Sequence, residues 1–130
     1  EFSLSHKLII SKSIWNDNII PLRDLQSIET IPTNKINLAY GESAAAINAL
    51  KYYYGDNAPK KIIETMEKEK GFITALENTM NIDYIDFQLQ FEEYIIENYN
   101  WVLLLNSAKY IYVILPFILT LGFLYKKRSD

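Results

Sequence analysis

The sequence predicts an all-α fold: a small helical bundle followed by one transmembrane helix. Three observations carry this prediction. Apolar residues recur at spacings of three and four through the first hundred positions, whereas no stretch alternates with period two long enough to make a strand. A segment rich in small residues, Leu38 to Tyr54, stops at Gly55, as a buried helix with a left-handed terminus would. From Tyr110 to Tyr125, sixteen residues pass without a charge, and Lys126-Lys127-Arg128 follows.

In chain order, Ser5 to Ile14 sets Leu8, Ile9 and Ile14 between polar residues and reads as a short helix capped by Ser3 or Ser5. Trp15-Asn16-Asp17-Asn18 is a turn, because Asn and Asp bond to nearby backbone and tolerate unusual dihedrals. Pro21 suits the first position of a brief helix through Ile28, and Thr30 to Lys35, with Pro32, is a loop. In the central helix, Ala39, Ala46 and Ala49 admit a close neighbour, while Tyr40, Ile47, Leu50 and Tyr54 fall on one side, which is the expected buried face. Asp56-Asn57-Ala58-Pro59 is a cap with proline in the first turn of a helix to about Glu69, with Ile62, Ile63 and Met66 facing inward. Gly71 ends it. Phe72, Leu76 and Met80 mark a further short helix that stops at Asn81. Asp83 caps a longer one, Tyr84 to about Asn98, whose inner side is Phe87, Phe91, Tyr94 and Ile95.

The expected organisation is a helical domain over 1–100, a juxtamembrane segment over 101–109, a transmembrane helix over 110–125 and a cytoplasmic tail over 126–130. At about 1.5 Å per residue the uncharged run covers about 24 Å, short of a hydrocarbon core of about 30 Å. Lys109 would close the gap by reaching back to the interface, with Tyr110, Tyr112 and Tyr125 in the headgroup belts. A longer span from Trp101 would bring Lys109 inside at about 2.5 to 3.5 kcal/mol. The basic cluster sets that end in the cytoplasm, so the expected localisation is a single-pass cell-membrane protein whose soluble part is extracytoplasmic. The alternative, a buried C-terminal helix, needs an apolar surround that about 100 residues do not supply. The opening Glu1-Phe2-Ser3 lacks an initiator Met and an apolar leader, and reads as the start of a fragment.

Composition removes several functions. The net charge of −3, with no basic stripe, excludes nucleic acid as an expected partner. The absence of cysteine excludes disulfides, a thiol nucleophile and a Cys-based metal site. With a lone histidine, His6, no metal-ligand set is expected in this chain. The Lys60-Lys61 and Glu67-Lys68-Glu69-Lys70 runs are solvated helix faces, and Glu92, Glu93 and Glu97 share a helix without needing an acid/base role.

Three short motifs carry a resemblance: Pro21-Leu22-Arg23-Asp24-Leu25, Ala39-Tyr40-Gly41-Glu42-Ser43, and Tyr54-Gly55-Asp56 before an amphipathic helix. Over about Asn18 to Asn98 the chain resembles the C-terminal half of the peptidase MA-like zinc metallopeptidases of the gluzincin group. The family's zinc-binding His-Glu-x-x-His helix and the segment bearing its third ligand are absent, and Glu1 is not carried over as that ligand because Phe2 follows it where the family has glycine. The resemblance implies a membrane-anchored hydrolase in which an upstream half holds zinc through two histidines and a glutamate, and a glutamate base activates the metal-bound water for peptide-bond cleavage. Its implied partners are the lipid bilayer, the missing N-terminal half and a peptide or protein substrate. The implied catalytic residue here is Tyr40, since related aminopeptidases use a tyrosine at the start of a comparable helix to donate to the oxyanion, although Ser43 stands where those enzymes have glycine. A plain core aromatic is the other reading of Tyr40, and Glu42 and Ser43 either line the cleft or hydrate the helix start. Alone, the chain is expected to bind no zinc and to cut no peptide. A membrane-tethered helical binding module and a catalytically dead relative are the alternatives.

Overall fold

In the computed structural model the described residues are 2–69 and 71–129, with the side chains of 106–111 and 129 outside the description. Among the described residues seven α-helices follow one another: α1 (Leu4–Trp15), α2 (Leu22–Leu25), α3 (Ile36–Tyr54), α4 (Ala58–Met66), α5 (Phe72–Met80), α6 (Tyr84–Tyr99) and α7 (Val102–Ser129). Two 3-10 turns, Ile28–Thr30 and Thr33–Lys35, bridge α2 to α3. Among the described residues there is no strand, in keeping with the all-α expectation.

Local chemistry sets most of the boundaries. Ser3 caps α1 by accepting from the His6 N–H, and Asp83 caps α6 by accepting from the Ile85 N–H at 2.7 Å. The helix ends turn on left-handed residues, Gly55 (φ 95°) after α3 and Asn81 (φ 54°) after α5, and Asp17 (φ 54°) does the same in the turn after α1. At α2 the expected brief helix stops short of Ile28, because the chain tightens after Leu25: the Ser27 N–H returns to the Asp24 carbonyl (3.2 Å) and a 3-10 turn takes over, while the first N–H groups of α2 are held by α6. The Leu22 N–H donates to Gln88 Oε1 (2.9 Å) and the Arg23 N–H to the Tyr84 hydroxyl (3.3 Å).

The core lies where α1, α3 and α6 meet, with α4 and α5 packed as a pair alongside. Phe87, Phe91 and Ile95 of α6, Ile10 of α1, Ile62 of α4 and Leu76 of α5 are fully buried, each worth about 1.5 to 3 kcal/mol of burial. Two expected faces turn out differently. The buried stripe of α3 is Leu38, Ala39, Glu42, Ala45, Ala46, Ala49 and Leu50, whereas Tyr40 and Ile47 are exposed. A Cβ built on Gly41 would stand 3.6 Å from His6 and Ile10, so α1 approaches α3 where side chains are smallest, and Tyr40 and Ile47 are turned outward. On the nine-residue α4 the inward strip is one residue wide, so Ile62 is buried while Ile63 and Met66 are exposed.

The transmembrane helix expected over 110–125 is corrected. Among the described residues no helix is long and apolar enough to cross a membrane. Helix α7 has length, but its uncharged run of about 24 Å falls short of a hydrocarbon core of about 30 Å. Extending it brings Lys109 in at one end or Lys126 at the other. The anchoring roles expected of Lys109 and Tyr110 fall on side chains outside the described residues, as does Lys70 of the charged run. The base of α7 is docked: Val102 is buried, and the Leu103 N–H donates to Ser11 Oγ of α1 at 3.0 Å.

Candidate functional site

Helix α3 presents its larger side chains away from α1, and there the surface is concave. Ser43, Ala46, Ile47 and Leu50 form one wall of a cleft of about 320 Å³. Leu22, Leu25 and Gln26 stand opposite, and Met66 and Phe72 close the end. The lining is predominantly apolar, the usual character of a site that takes an apolar group with a few polar atoms to orient it. Gln26 shapes this end of the cleft. Its Oε1 accepts from the Phe72 and Ile73 N–H groups (3.1 and 3.3 Å), capping α5 in place of Gly71, which has no side chain to offer.

Tyr40, the residue singled out for catalysis, sits in the first turns of α3 with 54% of its surface exposed. It is therefore not a core aromatic. It precedes Ser43 and Ile47 by three and seven residues, so all three share one side of the helix. The Ser43 hydroxyl donates to the Ala39 carbonyl at 2.8 Å, which commits its proton to the backbone.

Glu42 faces the other way. It is fully buried, and both carboxyl oxygens lie 3.1 Å from the Ile20 N–H. Burial pushes this carboxyl from 4.5 up to about 8, against the smaller opposing effect of the Ile20 hydrogen bond. At neutral pH it is thus a protonated group that clamps the Asn18–Pro21 segment onto α3, and it does not reach the cleft. Its register was readable in the sequence: Leu38, Glu42, Ala45 and Ala49 repeat at four, three and four, which put the glutamate on the alanine stripe.

The tyrosines are largely occupied with one another. Tyr52, Tyr53 and Tyr54 at the end of α3 contact Tyr94 or each other, and Tyr94 packs edge-on to Tyr99. The Tyr53 and Tyr54 hydroxyls donate to Gln90, at its backbone carbonyl and its Oε1 respectively. Burial raises the Tyr99 phenol well above its ordinary range, and the hydrogen bond with Tyr94 acts the same way. These rings weld α3 to α6.

Zinc does not fit the side chains described. Among the described residues no three His, Cys, Asp or Glu groups converge on one point. His6 stacks on Phe2, and its Nδ1 lies 3.1 Å from Ser3 Oγ, at the opposite side of α3 from the cleft. Glu1 lies outside the described residues. A second cavity of about 350 Å³, lined by Asp17, Asp24, Lys35 and the backbone around Ile20, mixes both signs of charge. No family model, curated protein or solved structure matches the chain.

Proposed function

We propose that α3 and its cleft form the peptide-facing wall of a zinc metallopeptidase of the gluzincin kind, the metal and its ligands being supplied from outside these 130 residues. The observation that supports this is the exposed Tyr40 phenol, on the same helix side as the Ser43 and Ile47 that line an apolar cleft. Cleavage of a peptide bond drives negative charge onto the carbonyl oxygen, and a hydroxyl aimed at that oxygen acts mainly in the transition state. The cleft would hold an apolar side chain of the substrate and fix the register of the bond beneath Tyr40.

The test uses the natural polypeptide that carries this chain. Bound zinc and chelator-sensitive peptide hydrolysis are expected, and Tyr40→Phe should lower kcat by about 10² to 10³-fold, with KM and thermal stability unchanged. Unchanged turnover removes the donor role, and a polypeptide without zinc removes the peptidase reading. A helical binding module is the second reading. It is favoured by the exposed Ile47 and Met66 at the cleft and Ile63 one turn before Met66, an apolar rim suited to a partner's side chains.

A further inference from the structure

Beyond its docked base, α7 has an unusual surface. Every apolar side chain from Tyr112 to Tyr125, Pro116 apart, is at least 50% exposed. Because successive residues step about 100° around a helix, a continuous run such as Val113-Ile114-Leu115 covers the whole circumference rather than one stripe. The one non-aromatic hydroxyl in the run has its proton committed to the backbone, since Thr120 Oγ1 donates to the Pro116 carbonyl at 2.8 Å. The last turn then carries Lys126, Lys127 and Arg128.

We propose that this part of α7 lodges in an anionic lipid surface without crossing it. The proposal is independent of the peptidase reading. Three features select lipid over a second copy of the chain. A two-helix contact covers one stripe and would leave the remaining apolar side chains in water, whereas a helix sunk to the headgroup–acyl boundary has acyl chains around the greater part of its circumference. The basic last turn complements phosphate and carboxylate headgroups. Tyr112 and Tyr125 lie toward the two ends of the apolar run, where an amphipathic ring sits at the boundary between headgroup and acyl chain. The uncharged run, about 24 Å for the sixteen residues from Tyr110 to Tyr125, is too short for a hydrocarbon core of about 30 Å, so the segment lies within one face of the bilayer, with both ends at its surface.

The experiment is vesicle flotation of the full chain, with far-UV circular dichroism to verify folding of each variant. Binding to phosphatidylcholine vesicles is expected, and stronger binding when phosphatidylserine is included. Changing Lys126, Lys127 and Arg128 together to Gln should cost about 10²-fold on the mixed vesicles, about fivefold per residue, and little on phosphatidylcholine alone. Leu119→Asp should weaken binding to both. Because the chain has no cysteine, Ser129→Cys gives a single label site, and it should react with an impermeant maleimide added outside the vesicles. Protection of that thiol overturns the in-plane placement. Absence of flotation overturns the proposal outright, and concentration-dependent self-association abolished by Leu119→Asp would then assign the surface to a second copy.

Discussion

Glu42→Gln isolates the largest electrostatic liability in the fold. The carboxyl titrates at about 8 in the folded chain against an ordinary 4.5, because burial disfavours the charged form. Between those values the folded state holds a proton that the unfolded state has released. Stability contributed by this group is therefore complete below pH 4.5 and is lost as pH rises through 8. Three and a half pH units at about 1.4 kcal/mol each amount to about 5 kcal/mol, comparable with the whole stability of a small domain. Glutamine keeps an oxygen for the Ile20 N–H but does not ionise. Its amide needs an acceptor and costs about 1 to 3 kcal/mol if none is found, an offset that does not vary with pH. Urea unfolding of both chains from pH 4 to 9 gives the difference in stability at each pH, in which all groups common to the two cancel. That difference should move by about 5 kcal/mol in favour of Gln across the window. Parallel curves would refute the assignment of a neutral, buried Glu42.

Two further changes probe the contacts of α1. Gly41→Ala should raise the melting temperature by a few degrees, since the added methyl meets His6 and Ile10 at an ordinary 3.6 Å and removes a mid-helix glycine worth about 0.5 to 1 kcal/mol; a lowered melting temperature would mean the helices are closer than that contact implies. Ser11→Ala should cost about 1 to 2 kcal/mol in urea unfolding and speed amide exchange at Leu103, whose N–H loses its acceptor, while the Asn100 carbonyl keeps the Trp15 Nε1–H at 2.9 Å.

Helix ends and helix types were legible because their causes are local. Ser3, Asp83, Asn81 and Gly55 act within a few residues of the boundary they set, so a single sequence contains both partners. Gln26, Gln88 and Ser11 were not legible. Each bonds a backbone group more than forty residues away, and nothing in the neighbouring sequence distinguishes such a side chain from a solvated one. At α3 the helix is legible in the sequence, but its rotation is only partly so. Of the expected inner face, Leu50 is buried and Tyr54 half-buried, whereas Tyr40 and Ile47 are exposed, because where α1 approaches α3 closely the inner face is made of the smallest residues. On α7 the apolar run was plain, whereas its relation to a bilayer turns on a few ångströms of length and on the cations at either end.

The cleft follows from that same rotation. By burying alanines against α1, α3 turns Ser43, Ile47 and Leu50 toward α2. Helix α3 is about 28 Å long and α2 about 6 Å, so α2 leaves most of that side uncovered. Nor is α2 free to slide, since Gln88 and Tyr84 hold its N-terminus on α6, and Gln26 just beyond it is fixed to the start of α5. A short element pinned at both ends against a long one leaves a gap whose size is set by the pins. That is why the concavity beside Ser43 and Ile47 persists instead of collapsing.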